Sequence, residues 1–163
     1  PPVEVPVEAM AAVNPAGRRP PLDTEVFAFG RMPLAFSARC FTARHYGVNR
    51  DECGFRCIEH PDGLALRTQE GEPFLALNGL QTLSAKLMCA LPERGALAAA
   101  NVRRLRLSPI SVHFDAVVRA FDRVFGGDAH PRAEAQALVA LPLPGLLADG
   151  YLRRQAGIRW SCA

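Results

Sequence analysis

Lysine is almost missing from this chain: Lys86 is the single one, so every other residue among the nineteen basic positions is arginine. Arginine forks grip carboxylates and phosphates bidentately and shield anionic clusters, although a GC-rich genome also writes arginine for lysine. Long apolar runs are missing too. The richest tract, LVALPLPGLLADGYL, is broken by Pro142, Pro144, Gly145 and Asp149, which excludes a membrane-spanning helix of about 18 residues. No Walker-type phosphate loop, HExxH, GxSxG or GxGxxG occurs, so four common enzyme classes lose their support. There is neither a charged n-region nor an apolar h-region, and nothing marks secretion. The opening PPVEVPVEAM lacks an initiator methionine and is expected to begin a piece cut from a longer protein.

What is present suffices for one domain: 163 residues, 49% of them hydrophobic, with a formal net charge of +3. That charge is too small to identify a nucleic-acid partner by itself, and none is expected as the main partner. Five cysteines, an odd number without a secretory signal, argue for reduced thiols and a cytoplasmic setting rather than a disulfide framework.

Periodicity predicts a short strand running into helical turns at VEVPVEAMAAV, and a strand at Thr24 to Phe29 ended by Gly30. LALRTQEGEPFLAL predicts a hairpin about Glu70 to Pro73, and Asn78-Gly79 a turn. Thr82 or Ser84 then caps an apolar segment expected to be helical as far as Pro92. VRRLRL predicts a strand over Val102 to Leu107. A helix from about Ile110 to Phe125 carries the apolar stripe Phe114, Val117, Val118, Phe121, Val124 and Phe125, with Gly126-Gly127 as its stop. AEAQALVA predicts another helix, and residues 151–163 form a tail of unassigned state. Recurring strand-loop-helix order predicts a parallel α/β arrangement. A whole (β/α) barrel needs about 250 residues, so the expected fold is α/β: the C-terminal half of a TIM-like barrel with a hairpin insertion, its N-terminal half missing, as one partial domain over 1–163.

Chemistry concentrates in the loop 30–57, GRMPLAFSARCFTARHYGVNRDECGFRC, where Cys40, Cys53 and Cys57 are spaced C-x12-C-x3-C. Three neighbouring thiolates repel one another unless a cation or cluster sits between them. Zinc wants four ligands, and His45 completes a Cys3His set; an iron-sulfur cluster wants four cysteines, one of them from elsewhere. Ligand softness does not choose between these. Cys89 in AKLMCAL is expected in the core, and Cys162 near the terminus is expected to be disordered. Glu25, on the strand leading to the loop, is either a carboxylate supporting the site or an exposed strand residue. His45 and Tyr46 face substrate or pack the loop. Asn78, Gln81 and Ser84 either line a site at the hairpin end or serve the turn.

These residues resemble a known family. Glu25 to Gly30 (EVFAFG) followed by Ser37 to Cys40 (SARC), the C-x3-C pair, NGLQTLSA and LRLSP is similar to the signature of the collagenase-like peptidases of family U32, over about Val3 to Gly157. The resemblance implies a (β/α) barrel and, in many members, a four-iron four-sulfur cluster held by four cysteines. Pro33 stands where most members have a cysteine, and that departure resembles the UbiV branch. The branch implies cluster ligands at Cys40, Cys53 and Cys57, with the fourth upstream of Pro1. It further implies a paralogous UbiU-like partner, an isoprenoid quinone precursor as substrate, and oxygen-independent ring hydroxylation in ubiquinone biosynthesis rather than genuine peptidase activity. Arg39, Arg44 and Arg56 are then the residues expected to tune the cluster. Two alternatives stay open: RNA-base hydroxylation as in other branches, and a zinc-stapled interaction module without catalysis.

Overall fold

The architecture hangs on two long antiparallel strands. In the computed structural model, which describes residues 1–15 and 17–162, β1 spans Thr24–Phe36 and β4 spans Gln81–Cys89. They pair from Phe29↔Cys89 at the inner end to Phe36↔Gln81 at the outer end. β5 (Val102–Leu107) adds in parallel to β1. The hairpin of β2 (Leu64–Arg67) and β3 (Pro73–Asn78) adds antiparallel to the outer half of β4, and the short β6 (Leu147–Ala148) adds in parallel to its inner half. The result is a mixed sheet in the order β2-β3-β4-β1-β5, with β6 also on β4. The fold is thus mixed α/β: β1–β5 and β4–β6 pair in parallel as expected, but the central β1–β4 pair is antiparallel.

Helices cover the inner half of the sheet: α1 (Val7–Val13), α3 (Arg94–Ala99), α4 (Phe114–Gly126) and α5 (Pro131–Val139). Val26, Phe29, Leu87 and Cys89 share one core with Val117, Phe121, Val124 and Leu138. Phe29 meets Phe121 edge-on, with ring centres 6.2 Å apart. Arg123 joins α4 to α5 through Glu134 at 2.7 Å. The helical stripe on α4 is as predicted except at Val118, which is 43% exposed. The helix also starts later than expected, because His113 adopts a left-handed conformation just before Phe114.

Four further expectations are corrected. The described residues before Val7 hold no strand, since Pro2 and Pro6 flank Val3 and Val5 and the chain turns there. β1 does not end at Gly30. At φ +117° that glycine lets the strand pass so close to Ser108 that a Cβ would sit 2.6 Å from the serine Cβ, and β4 holds the strand's other edge onward to Phe36. The cysteine loop therefore begins at Ser37. Residues 81–89 are strand rather than helix, because two edges claim them. Within that strand the register jumps from Arg31↔Leu87 to Pro33↔Leu83, a bulge at residues 84–86 opposite Met32 and next to Pro33, which has no N–H to give. Ser84 Oγ accepts the Met32 N–H at 2.8 Å, and the Arg31 guanidinium donates to the carbonyls of Ser84 at 3.0 Å and Pro144 at 2.6 Å. Arg31 thus serves the bulge rather than the cysteine loop, and its burial lowers its pKa.

The tail is the fourth. Asp149 is buried, accepts the Ser161 N–H at 3.0 Å and is also hydrogen-bonded to the Ser161 hydroxyl. Arg159 O accepts the Asp149 N–H at 2.8 Å, and Lys86 Nζ donates to Ile158 O at 2.8 Å. Cys162 is half-buried and packs against the core, so the expected disorder is replaced by a docked strap.

Candidate functional site

Segment 37–80 joins β1 to β4 and carries the β2–β3 hairpin on the outer half of β4; it departs at Phe36 and returns at Gln81, and those two residues pair with each other. Its first element is α2 (Phe41–His45), capped by Cys40, whose Sγ accepts the Ala43 N–H at 3.4 Å. α2 is fastened to the β3–β4 turn: Phe41 N–H donates to Gly79 O at 2.8 Å, and Thr42 Oγ1 accepts the Gly79 N–H at 3.1 Å.

Cys53 and Cys57 lie on a tighter stretch. Cys53 is right-handed helical, and Gly54 (φ +57°) and Phe55 (φ +55°) are left-handed. A right-handed residue followed by a left-handed one aims successive N–H groups into a concavity suited to anions, iron-sulfur clusters among them. A phenylalanine in this conformation costs about 1–3 kcal/mol. Cys57 then sits in a single 3-10 turn, Arg56–Glu59, with its Sγ 3.6 Å from Phe55 O.

Two large apolar side chains of this stretch are as exposed as its charged residues Asp51, Glu52, Arg56 and Glu59. Between residues 51 and 60 the half-buried residues are Cys53, Cys57 and His60. Phe55 and Ile58 are 73% and 77% exposed. Leaving two such side chains in water forgoes about 1.5–3 kcal/mol each. Packing alone does not select that arrangement.

Arg39 and Arg44, with Arg50, line an open cavity of about 520 Å³ beside Cys40. Arg56 lies 4.8 Å above the Tyr46 ring. Among the described residues none of these four arginines is ion-paired, whereas Arg104, Arg106, Arg119, Arg123, Arg153 and Arg154 are. Glu25 belongs to the second group: it is a half-buried strand residue that accepts from Arg106 at 2.6 Å across β1–β5. His45 is exposed, edge-on to Tyr46 at 5.1 Å. Among the described residues, no three His, Cys, Asp or Glu side chains are gathered as a metal set, so the thiols share the loop without converging on one point.

The residues nevertheless suit a soft metal centre in kind. Three half-buried thiols are free of disulfides, Cys40 already receives a backbone N–H, and the turn at Cys53-Gly54 offers more. Cys89 contrasts with them, since complete burial pushes its thiol up to about 12 and removes it from ligand chemistry.

A family model, Peptidase family U32, matches residues 2–155. The chain belongs to this family. No solved structure matches the U32 chain. No helix among its described residues is long and apolar enough to cross a membrane.

Asn78 and Gln81 face a second cavity of the U32 domain, about 290 Å³, together with Arg106 and Ser108 and against Phe27 and Leu83. Its lining mixes donors with the Asp62 carboxylate, and Arg106 there is already paired with Glu25. Ser84, grouped with Asn78 and Gln81 in the sequence, is instead consumed by the bulge. Sequence reasoning passed over the partners of Tyr46. Its hydroxyl donates to Glu59 Oε2 at 3.0 Å and lies 2.7 Å from His60 Nε2, and desolvation together with the Glu59 carboxylate raises its pKa. The tyrosine alone, not its pairing, was visible beforehand.

Proposed function

We propose that the chain is the C-terminal half of a U32 barrel of the UbiV kind, and that Cys40, Cys53 and Cys57 are three ligands of a four-iron four-sulfur cluster. The exposure of Phe55 and Ile58 beside the half-buried Cys53 and Cys57 carries this reading, because it is a cost that metal binding would offset. Pro33 in place of the family's usual cysteine supports the branch, and the fourth ligand comes from the upstream half. When bound, the cluster supplies electron transfer or holds an oxygen donor during oxygen-independent ring hydroxylation of an isoprenoid quinone precursor, in complex with a UbiU-like paralogue.

The chain's own residues have definable tasks around it. Cys40 enters as a thiolate stabilised by the Ala43 N–H. Arg39 and Arg44, without carboxylate partners, are available to offset the negative charge of a thiolate-bound cluster, and Arg56 adds a third cation over Tyr46. The deciding experiment is anaerobic purification of the full-length protein with iron and sulfide analysis. Brown protein with about four irons, losing colour on Cys53→Ala or Cys57→Ala, is the expected result. Colourless protein carrying one zinc, released by His45→Ala, overturns it in favour of the zinc-stapled module.

A further inference from the structure

The turn bearing Cys57 has few ties to the rest of the molecule. Its backbone hydrogen bonds are local: Glu52 to Asn49, Arg56 to Cys53, Ile58 to Phe55, His60 to Cys57 and Gly63 to His60. Asn49 and Cys57 also spend their side chains inside the segment. Two residues beyond the segment, Asp62 accepts the Ser111 N–H at 3.0 Å. Among the described residues, the side-chain hydrogen bonds that join residues 49–60 to the C-cap of α2 all end on one atom, the Tyr46 hydroxyl.

That atom is fully committed. The Glu59 carboxylate only accepts, so the single hydroxyl proton of Tyr46 goes to it. The phenol oxygen must then act as acceptor toward His60, which requires a proton on His60 Nε2. The ring is committed as well: Arg56 stacks at 4.8 Å, His45 abuts edge-on at 5.1 Å, and the His60 ring centre lies 6.0 Å away. Tyr46 is itself anchored, because its N–H donates to Thr42 O at 3.2 Å and α2 is bound to the Gly79 turn. A rigid path therefore runs from the sheet through α2 and Tyr46 to the turn that holds Cys57.

We propose that Tyr46 is the positioning residue of the thiol loop: its hydroxyl and ring lock the turn of Cys57 onto the helix capped by Cys40, and so set how these thiols are presented to a metal centre. The lock stands on the hydrogen bonds alone; the metal centre rests on the reading of the preceding subsection. Tyr46 touches no reacting atom here and acts through Cys57.

The test uses the full-length protein in two forms. In metal-free, anaerobic protein, iodoacetamide alkylation is followed at each cysteine by mass spectrometry. Tyr46→Phe keeps the ring and removes both hydrogen bonds. It is expected to raise the Cys57 rate roughly tenfold, the equivalent of about 1.4 kcal/mol, and to leave Cys162 unchanged. His60→Ala should reproduce part of that rise. In iron-loaded protein, Tyr46→Phe should keep the iron content but shift the electron paramagnetic resonance signature of the reduced cluster. Unchanged Cys57 reactivity in Tyr46→Phe overturns the lock. A raised Cys57 rate in a protein that takes up no iron upholds the lock and overturns the cluster reading instead. Should Tyr46→Phe raise every cysteine rate equally, Cys162 included, the role is general stability and the proposal falls.

Discussion

The β1–β4 pair carries cysteines of opposite character at its two ends. At the inner end Cys89 is fully buried among Phe29, Leu87 and Val117, with its thiol pushed up to about 12. Beyond the outer end Cys40, Cys53 and Cys57 are half-buried in a segment that leaves Phe55 and Ile58 in water. One residue type thus does two jobs, and its surroundings assign them. Cys89 is a small hydrophobe that completes a core, whereas the loop thiols are held at the surface by local turns and a tyrosine tie. Strand length is what separates the two environments, since β1 passes from buried to exposed along its course.

The sharpest way to break this contrast is chemical. Under native, metal-free conditions iodoacetamide should alkylate Cys40, Cys53 and Cys57 while Cys89 lags by roughly a hundredfold or more, because reaction requires exposed thiolate. Mass spectrometry of each cysteine peptide checks this, and a fast Cys89 would dissolve the distinction. Second in size is Cys89→Ser, which places a hydroxyl in apolar surroundings and should cost about 1–3 kcal/mol in urea denaturation. Cys53→Ser in metal-free protein should stay within about 0.5 kcal/mol.

Asp149 extends the comparison to the tail. Asp149→Ala removes the acceptor of the Ser161 N–H and is expected to cost about 1–2 kcal/mol, with faster amide exchange at Ser161 as its signature. The smallest expected effect is a pair of pH slopes of opposite sign. Burial raises the Asp149 carboxyl above the usual carboxylate range, against the pull of Ser161 and Arg153. Its contribution therefore favours folding below the unfolded carboxylate value and is lost as pH rises through the raised folded one. Glu134 is the reverse: hydrogen-bonded by Arg123, it is held below the usual range. Its contribution is present above the unfolded value and lost as pH falls through the lowered one. Asp149→Asn and Glu134→Gln should each remove one slope from a stability titration between about pH 3 and 7.

Much of the fold was legible where its signals are local. VRRLRL alternates as β5 does, the α4 stripe repeats at helical spacing, and LALR and PFLALN bracket a turn. Gln81 to Cys89 was misread because its strand state comes from partners on both edges, which no short window contains. Gly30 looks like a stop, yet Ser108 needs the missing Cβ and the strand runs on past Pro33 beside a bulge in β4. At the site the cysteines announced themselves by spacing, whereas the partnership of Tyr46 with Glu59 and His60 depends on a turn conformation set by left-handed Gly54 and Phe55. Arg31 sits beside the loop in sequence but is spent on carbonyls of the bulge and on Pro144.

The pairing of Phe36 with Gln81 has a consequence for how such a chain can change. A segment whose two ends are neighbours across a ladder can lengthen, shorten or be exchanged without asking the core to move. β6 adds to this freedom by pairing with β4 at Leu87 and Met88, inward of the residues β3 engages, so the inner edge stays sealed whatever the hairpin does. Selection can therefore vary the number and placement of thiols in the outer segment as a replaceable cartridge, while the inner half carries the burden of folding.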